Sequence, residues 1–148
     1  MSEKKIYRVQ AVFPTTTVPL LNCGVVTEWL TEHGVAPVPV RAVLDTGSNR
    51  TAVSPRVASI LDLDYVGTVD VDVPMNEPVE TDVYKGACFV FGDIIVGPRH
   101  VHVVDLVSHE DEGEAIDVLI GLDIISLGRL TVEPAGKDHY RYEFSMEV

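Results

Sequence analysis

The sequence predicts an all-β protein, and two observations carry that expectation. Short runs of β-branched and aromatic residues recur along the 148-residue chain, broken by Pro, Gly, Asn and Asp. Several of these runs alternate apolar with polar side chains at the two-residue period of a strand. Hydrophobic residues make up 46% of the chain, enough to bury the core of a single domain over residues 1–148 without disulfides or metal.

Taken in order, Ile6 to Phe13 alternates and reads as the first strand. Val18 to Val26 and Val38 to Leu44 give two more, with Gly34 and Pro37 breaking the stretch between them. Trp29 and His33 fall in that break, where Trp29 is expected to cover the edge of the core. Thr51 to Ser54 reads as a short strand. Pro55 to Leu61 reads as a short helix, because Pro55 suits a first helical position and Val57, Ile60 and Leu61 recur at helical spacing.

Val66 to Val73 and Val79 to Val90 form a hairpin by pattern, with Pro74-Met75-Asn76-Glu77-Pro78 at its tip. Asp93 to Val96 and His100 to Val107 are strands separated by Gly97-Pro98. A last hairpin joins Leu130 to Glu133 with Tyr140 to Met146, and it lines up Tyr140, Tyr142, Phe144 and Met146 on one face.

The net charge of −12, from 23 acidic against 11 basic residues, argues against nucleic acid or an anionic membrane as partner, since both demand a basic face. The cluster His109-Glu110-Asp111-Glu112-Gly113-Glu114 lacks the alternating oxygen ligands of a calcium loop and reads as a solvated connection. The N-terminal residues lead into an alternating segment without a secretory signal, and no run reaches transmembrane length, so a cytoplasmic location is expected. Cys23 and Cys88, each among apolar neighbours, then read as reduced core thiols. His100 and His102 share one strand face without a third ligand nearby and read as exposed strand histidines; neither metal nor cofactor is expected.

The most informative stretch is Ala42-Val43-Leu44-Asp45-Thr46-Gly47-Ser48, an apolar run ending in an acid and then turn residues. It reads as a strand delivering a carboxylate, although Asp45 to Asn49 also suits a plain hairpin turn. A second segment lies well downstream: Asp117-Val118-Leu119-Ile120-Gly121-Leu122-Asp123-Ile124-Ile125. Together the two segments resemble the retropepsin family of aspartic proteases, in which Asp-Thr-Gly carries the catalytic acid and two bulky apolar residues plus Gly close a loop around its strand. The resemblance covers roughly Ile6 to Phe144, and its Gly-Leu-Asp is closer to cellular and bacterial members than to viral ones.

That resemblance implies a closed β-barrel with one or two short helices and a homodimeric aspartic endopeptidase acting on peptide or protein substrates. Hydrolysis of this type needs two carboxylates sharing one proton, and the chain holds a single Asp-Thr-Gly, so Asp45 would be contributed twice across a twofold axis. Thr46 would lock the two loops, Gly47 would offer backbone to the substrate and Ser48 would hydrogen-bond the outer carboxylate oxygen. Leu119, Ile120 and Gly121 form the second motif, and Met75, Asn76 and Glu77 would be the tip of a flap over the substrate. An apolar last strand suits the family's terminal dimer pairing, and ordinary core packing accounts for it equally well.

Two departures stand out. The flap tip is bracketed by Pro74 and Pro78 and has no glycine. Asn49 and Leu122 stand where viral enzymes place an ion pair, leaving Arg50 and Asp123 as candidates for a substitute. The alternative reading is a catalytically inactive, dimeric peptide-binding or scaffold module of the same fold.

Overall fold

Ten strands and three short helices account for the regular structure of residues 4–72, 77–106 and 115–148, which the computed structural model describes. In chain order the strands are β1 (Ile6–Pro14), β2 (Leu20–Thr27), β3 (Val38–Leu44), β4 (Ala52–Val53), β5 (Asp64–Val71), β6 (Val79–Phe91), β7 (Ile94–Val103), β8 (Val118–Ile120), β9 (Arg129–Pro134) and β10 (His139–Glu147). The helices are α1 (Glu28–Glu32), α2 (Pro55–Leu61) and α3 (Leu122–Ile125). Among the described residues no helix is long and apolar enough to cross a membrane.

Strands β2, β3, β8, β4, β7 and β6 are neighbours in that order, and β2 pairs back onto β6, so the expected barrel closes. Strand β5 lies outside this ring as the partner of the first half of β6, which makes β5 and β6 the hairpin read from the sequence. Strands β1, β10 and β9 form a separate antiparallel sheet with β10 in the middle. Its inner face joins the barrel core: Tyr142, Phe144 and Met146 are buried with Phe89, Phe91 and Ile94, and the rings of Phe91 and Phe144 meet edge to face at 6.4 Å. The Tyr142 hydroxyl donates to the Leu20 carbonyl and the Tyr140 hydroxyl to the Thr17 carbonyl at 2.7 Å, so both phenols of β10 on this face are satisfied.

Both edges of β10 are therefore occupied within the chain, and its aromatic face is core. The last strand is not an edge open to pairing with a second copy.

Three further expectations are corrected. The stretch after β2 is not merely a break: Thr27 accepts from the Leu30 N–H at 3.2 Å and starts helix α1. Trp29 does not cover the core edge; it is 62% exposed and stacks on His33 with ring centroids 3.9 Å apart. Strand β7 runs through Gly97-Pro98 instead of stopping there, because β7 itself bulges: between the pairs Ala87↔Arg99 and Phe89↔Val96, Gly97 and Pro98 stand opposite Cys88 alone and pairing resumes on both sides. Gly97 has φ +129°, and a Cβ on it would lie 2.7 Å from the Ala87 carbonyl oxygen, so the two backbones meet where no side chain fits.

Helix α2 follows the local signals closely. Pro55 occupies the first turn, the Ser54 hydroxyl accepts from the Val57 N–H at 3.3 Å, and Val57, Ala58 and Leu61 are buried. Its N-terminus is tied to the strand that carries the second motif. Asp117, just before β8, accepts from the Ser54 hydroxyl at 2.8 Å and from the Arg56 Nε at 3.2 Å. Burial pushes the Asp117 carboxyl upward, but the hydrogen bonds from Arg56 and Ser54 and the Arg56 charge outweigh it and hold it below its ordinary value.

A carboxyl held low in the folded state stabilises the fold above the ordinary carboxylate range and stops doing so as pH falls through its folded value. Arg56→Ala is therefore expected to cost about 1 kcal/mol at neutral pH, a modest figure because Arg56 is half in solvent. The deficit relative to the unmodified protein should shrink below about pH 4, where Asp117 is increasingly protonated. Urea unfolding curves collected across that range measure it.

Candidate active site

The Asp45 carboxylate is placed by three consecutive constraints. Strand β3 is buried at Val40, Ala42, Val43 and Leu44, and it lies parallel to β8 with Leu44 opposite Ile120. The Asp45 N–H continues that ladder by donating to the Ile120 carbonyl at 2.8 Å. The chain then turns: the Ser48 N–H donates to the Asp45 carbonyl at 3.2 Å, and the Gly47 N–H donates to Asp45 Oδ1 at 2.9 Å. A side-chain oxygen bonded to the backbone two residues on fixes the carboxylate relative to its own loop.

The second motif holds that loop from behind. The Leu122 N–H donates to the Ser48 carbonyl at 2.8 Å. Gly121 packs so tightly that a Cβ on it would lie 2.7 Å from the Arg50 carbonyl carbon and oxygen and 2.9 Å from the Ser48 oxygen. Leu119 and Ile120 are buried beside β3 and β4. The segments read from the sequence as two motifs are thus in direct contact.

Thr51 joins them, and it is a residue the sequence reading did not single out. Fully buried, its hydroxyl accepts from the Gly121 N–H at 3.1 Å and donates to Asp123 Oδ1 at 2.7 Å, while its own N–H donates to Asp123 Oδ2 at 3.2 Å. Asp123 therefore turns its carboxylate to Thr51, and the substitute ion pair with Arg50 expected from the sequence does not form. The Ser48 hydroxyl likewise differs from expectation, since it donates to the Arg50 carbonyl at 2.8 Å. Thr46 is exposed on the loop.

A cleft of about 1110 Å³ opens between this loop and the β5–β6 hairpin. Gly47, Ser48, Asn49 and Arg50 form one side, and Val69 to Asp72 of the hairpin form the other. Val83 of β6, Gly97, Pro98, Arg99, His100 and His102 of β7, and Asp123 complete it. His102 is half-buried, contrary to the expectation of an exposed strand histidine. Burial and the Arg50 charge push its imidazole below the ordinary value, partly offset by Asp123, so it favours the neutral form in the folded protein. Glu77 is exposed ahead of β6, and the flap-tip residues Met75 and Asn76 lie outside the described residues, as does the acidic cluster His109 to Glu114. Cys23 and Cys88 are free thiols on β2 and β6, and burial pushes the Cys23 thiol up to about 12.

Residues 32–124 match the aspartyl protease family, and the chain belongs to that family. The matched span includes both the Asp45 loop and the Gly121 turn. Among solved structures, the chain is similar to a retropepsin-like aspartic protease from Rickettsia conorii, with 13% identity, a TM-score of 0.48 and 100% of each chain covered. It is also similar to the retroviral protease-like domain of Ddi1 from Leishmania major, with 15% identity and a TM-score of 0.45 over 85% of this chain and 95% of that one. No curated protein sequence matches it.

Gly121→Ala is expected to push the β8 turn away from Ser48 and Arg50, because the neighbours it would strike are backbone and cannot rotate aside. The cost should be about 1–3 kcal/mol, the range for overpacking a tight site. Denaturant unfolding measures it; a variant as stable as the unmodified protein would show that the turn has room to spare.

Proposed function

We propose that the chain is an aspartic endopeptidase of retropepsin type that works as a homodimer, with Asp45 of each copy forming the catalytic pair. The observation that carries this reading is the Asp45 carboxylate held at the end of β3, hydrogen-bonded to the N–H of the cleft-lining Gly47 and backed by Gly121. A carboxylate fixed before substrate arrives needs little reorganisation during reaction. One chain supplies one such acid, so two copies meeting across a twofold axis complete the pair.

In the working site one Asp45 is protonated and the other ionised. The ionised one takes a proton from water as the water attacks the peptide carbonyl, and the protonated one donates to the carbonyl oxygen. Thr46 contacts the partner loop, and the backbone at Gly47 and Ser48 faces the substrate. The β5–β6 hairpin is the flap, with Met75, Asn76 and Glu77 at its tip; closing it excludes water and holds the peptide extended. The reaction uses no metal or cofactor. Residues 1–148 act as one domain, and the two free thiols suit a reducing, cytoplasmic setting.

Asp45→Asn keeps the shape of the side chain and removes its charge. Assayed on a library of extended peptides between mildly acidic and neutral pH, the variant should lose hydrolysis by at least about a thousandfold while keeping its melting temperature. Equal cleavage by both proteins would remove Asp45 from the chemistry. Binding without cleavage by either would favour the peptide-binding module.

Assembly is tested separately. Sedimentation of the unmodified protein should give twice the chain mass, and a monomer persisting at high micromolar concentration would contradict the paired site.

A further inference from the structure

A second cavity of about 660 Å³ lies beside the cleft, and three residues of β7, Pro98, Arg99 and His100, line both. Its far wall is apolar: Trp29 and Leu30 of α1, and Ile60, Leu61 and Leu63 at and just beyond the end of α2. Trp29 and Ile60 are 62% and 52% exposed, an unusual use of large apolar side chains facing a concave surface. Lys85 and Gly86, which bulge from β6 opposite His100, also line the cavity.

Arg99 stands on the ridge between the two cavities. It is half-buried, yet among the described residues it makes no ion pair, although the chain carries 23 acidic against 11 basic residues. A guanidinium taken partly out of water without a carboxylate is poised to accept one from outside, in its forked two-point geometry. Glu28, Asp62 and Asp64 also line the second cavity, and they repel any further acid there.

We infer that the substrate cleft continues over Arg99 into this pocket, forming an extended subsite for a peptide with one acidic residue at Arg99 and a large apolar residue against Trp29 and Ile60. This rests on the endopeptidase reading for its occupant, an extended peptide already lying in the cleft. Strand-like peptide advances about 3.3 Å per residue, so a few residues beyond the cleft reach the pocket. Neither contact touches the scissile bond; both set which sequences are held and where they are cut.

Trp29 is the single tryptophan of the chain, so tryptophan emission reports the pocket directly. The experiment uses the full-length Asp45→Asn protein and a tryptophan-free library of extended peptides that carries one Glu, or one Gln, at each position next to Leu or Phe. Glu peptides of one register should bind about tenfold more tightly than their Gln counterparts and shift Trp29 emission. Arg99→Gln should erase that preference.

Equal binding of Glu and Gln peptides, binding without an emission change, or no binding at all would overturn the subsite. The Glu and Gln comparison needs no change at Arg99, so a poorly folding Arg99→Gln still leaves the test decided. Arg99-dependent binding with an emission shift, in a protein whose Asp45 form cleaves nothing, would keep the subsite and reject proteolysis. Cleavage by the Asp45 form with no emission shift would do the reverse.

Discussion

A missing side chain at Gly121 is the constraint on which the site depends. The turn after β8 lies against the carbonyls of Ser48 and Arg50 at a separation that admits hydrogen but not carbon. Only at that distance can the Leu122 N–H reach the Ser48 oxygen and the Gly121 N–H reach the Thr51 hydroxyl. Thr51 then passes the connection to Asp123 in the first turn of α3. The result is a loop whose outer side carries Asp45 and whose inner side is hydrogen-bonded to the second motif, so the acid is fixed by backbone and not by a flexible partner.

The barrel sets the scale of this arrangement. The short strands β4 and β8 lie side by side between β3 and β7, which brings the loop after β3 under the hairpin that β6 extends beyond the ring. The bulge in β6 and the close approach at Gly97 turn β7 so that Arg99 and His100 face cavities instead of the core. Within an overall charge of −12 the cleft mixes both signs, with Arg50 and Arg99 among Asp70, Asp72 and Asp123. Net charge describes the solubility of the whole and says little about the sign at the site.

Legibility in the sequence followed the range of the interactions involved. Strand β3 and helix α2 could be read residue by residue, because their signals are local: a continuous apolar run, and a Ser-Pro start with helical spacing. Helix α1 escaped because its five residues bury no side chain and so show no apolar period; its one clear signal is the Thr27 cap. Gly97-Pro98 reads locally as a break, and that it is instead a bulge within β7 shows only in the pairing with β6, which resumes on both sides of Cys88. The Asp45 and Gly121 segments were paired by family resemblance, whereas the Thr51–Asp123 bond and the convergence of Arg50, Arg99 and His102 on one cleft arise from contacts between residues distant in sequence. Nothing in the local pattern around Thr51 sets it apart from any other strand threonine.

The central claim is that one reaction centre takes an Asp45 from each of two chains, and subunit mixing tests it most directly. Unmodified protein is combined with Asp45→Asn protein, the subunits are allowed to exchange, and peptide hydrolysis is expressed per unmodified chain. A shared site predicts a fall to about half in an equal mixture, since half the unmodified chains then sit opposite an inert partner, and a further fall as the variant is added in excess. Activity per unmodified chain that stays constant at every ratio would mean that each chain works alone, and would contradict the account.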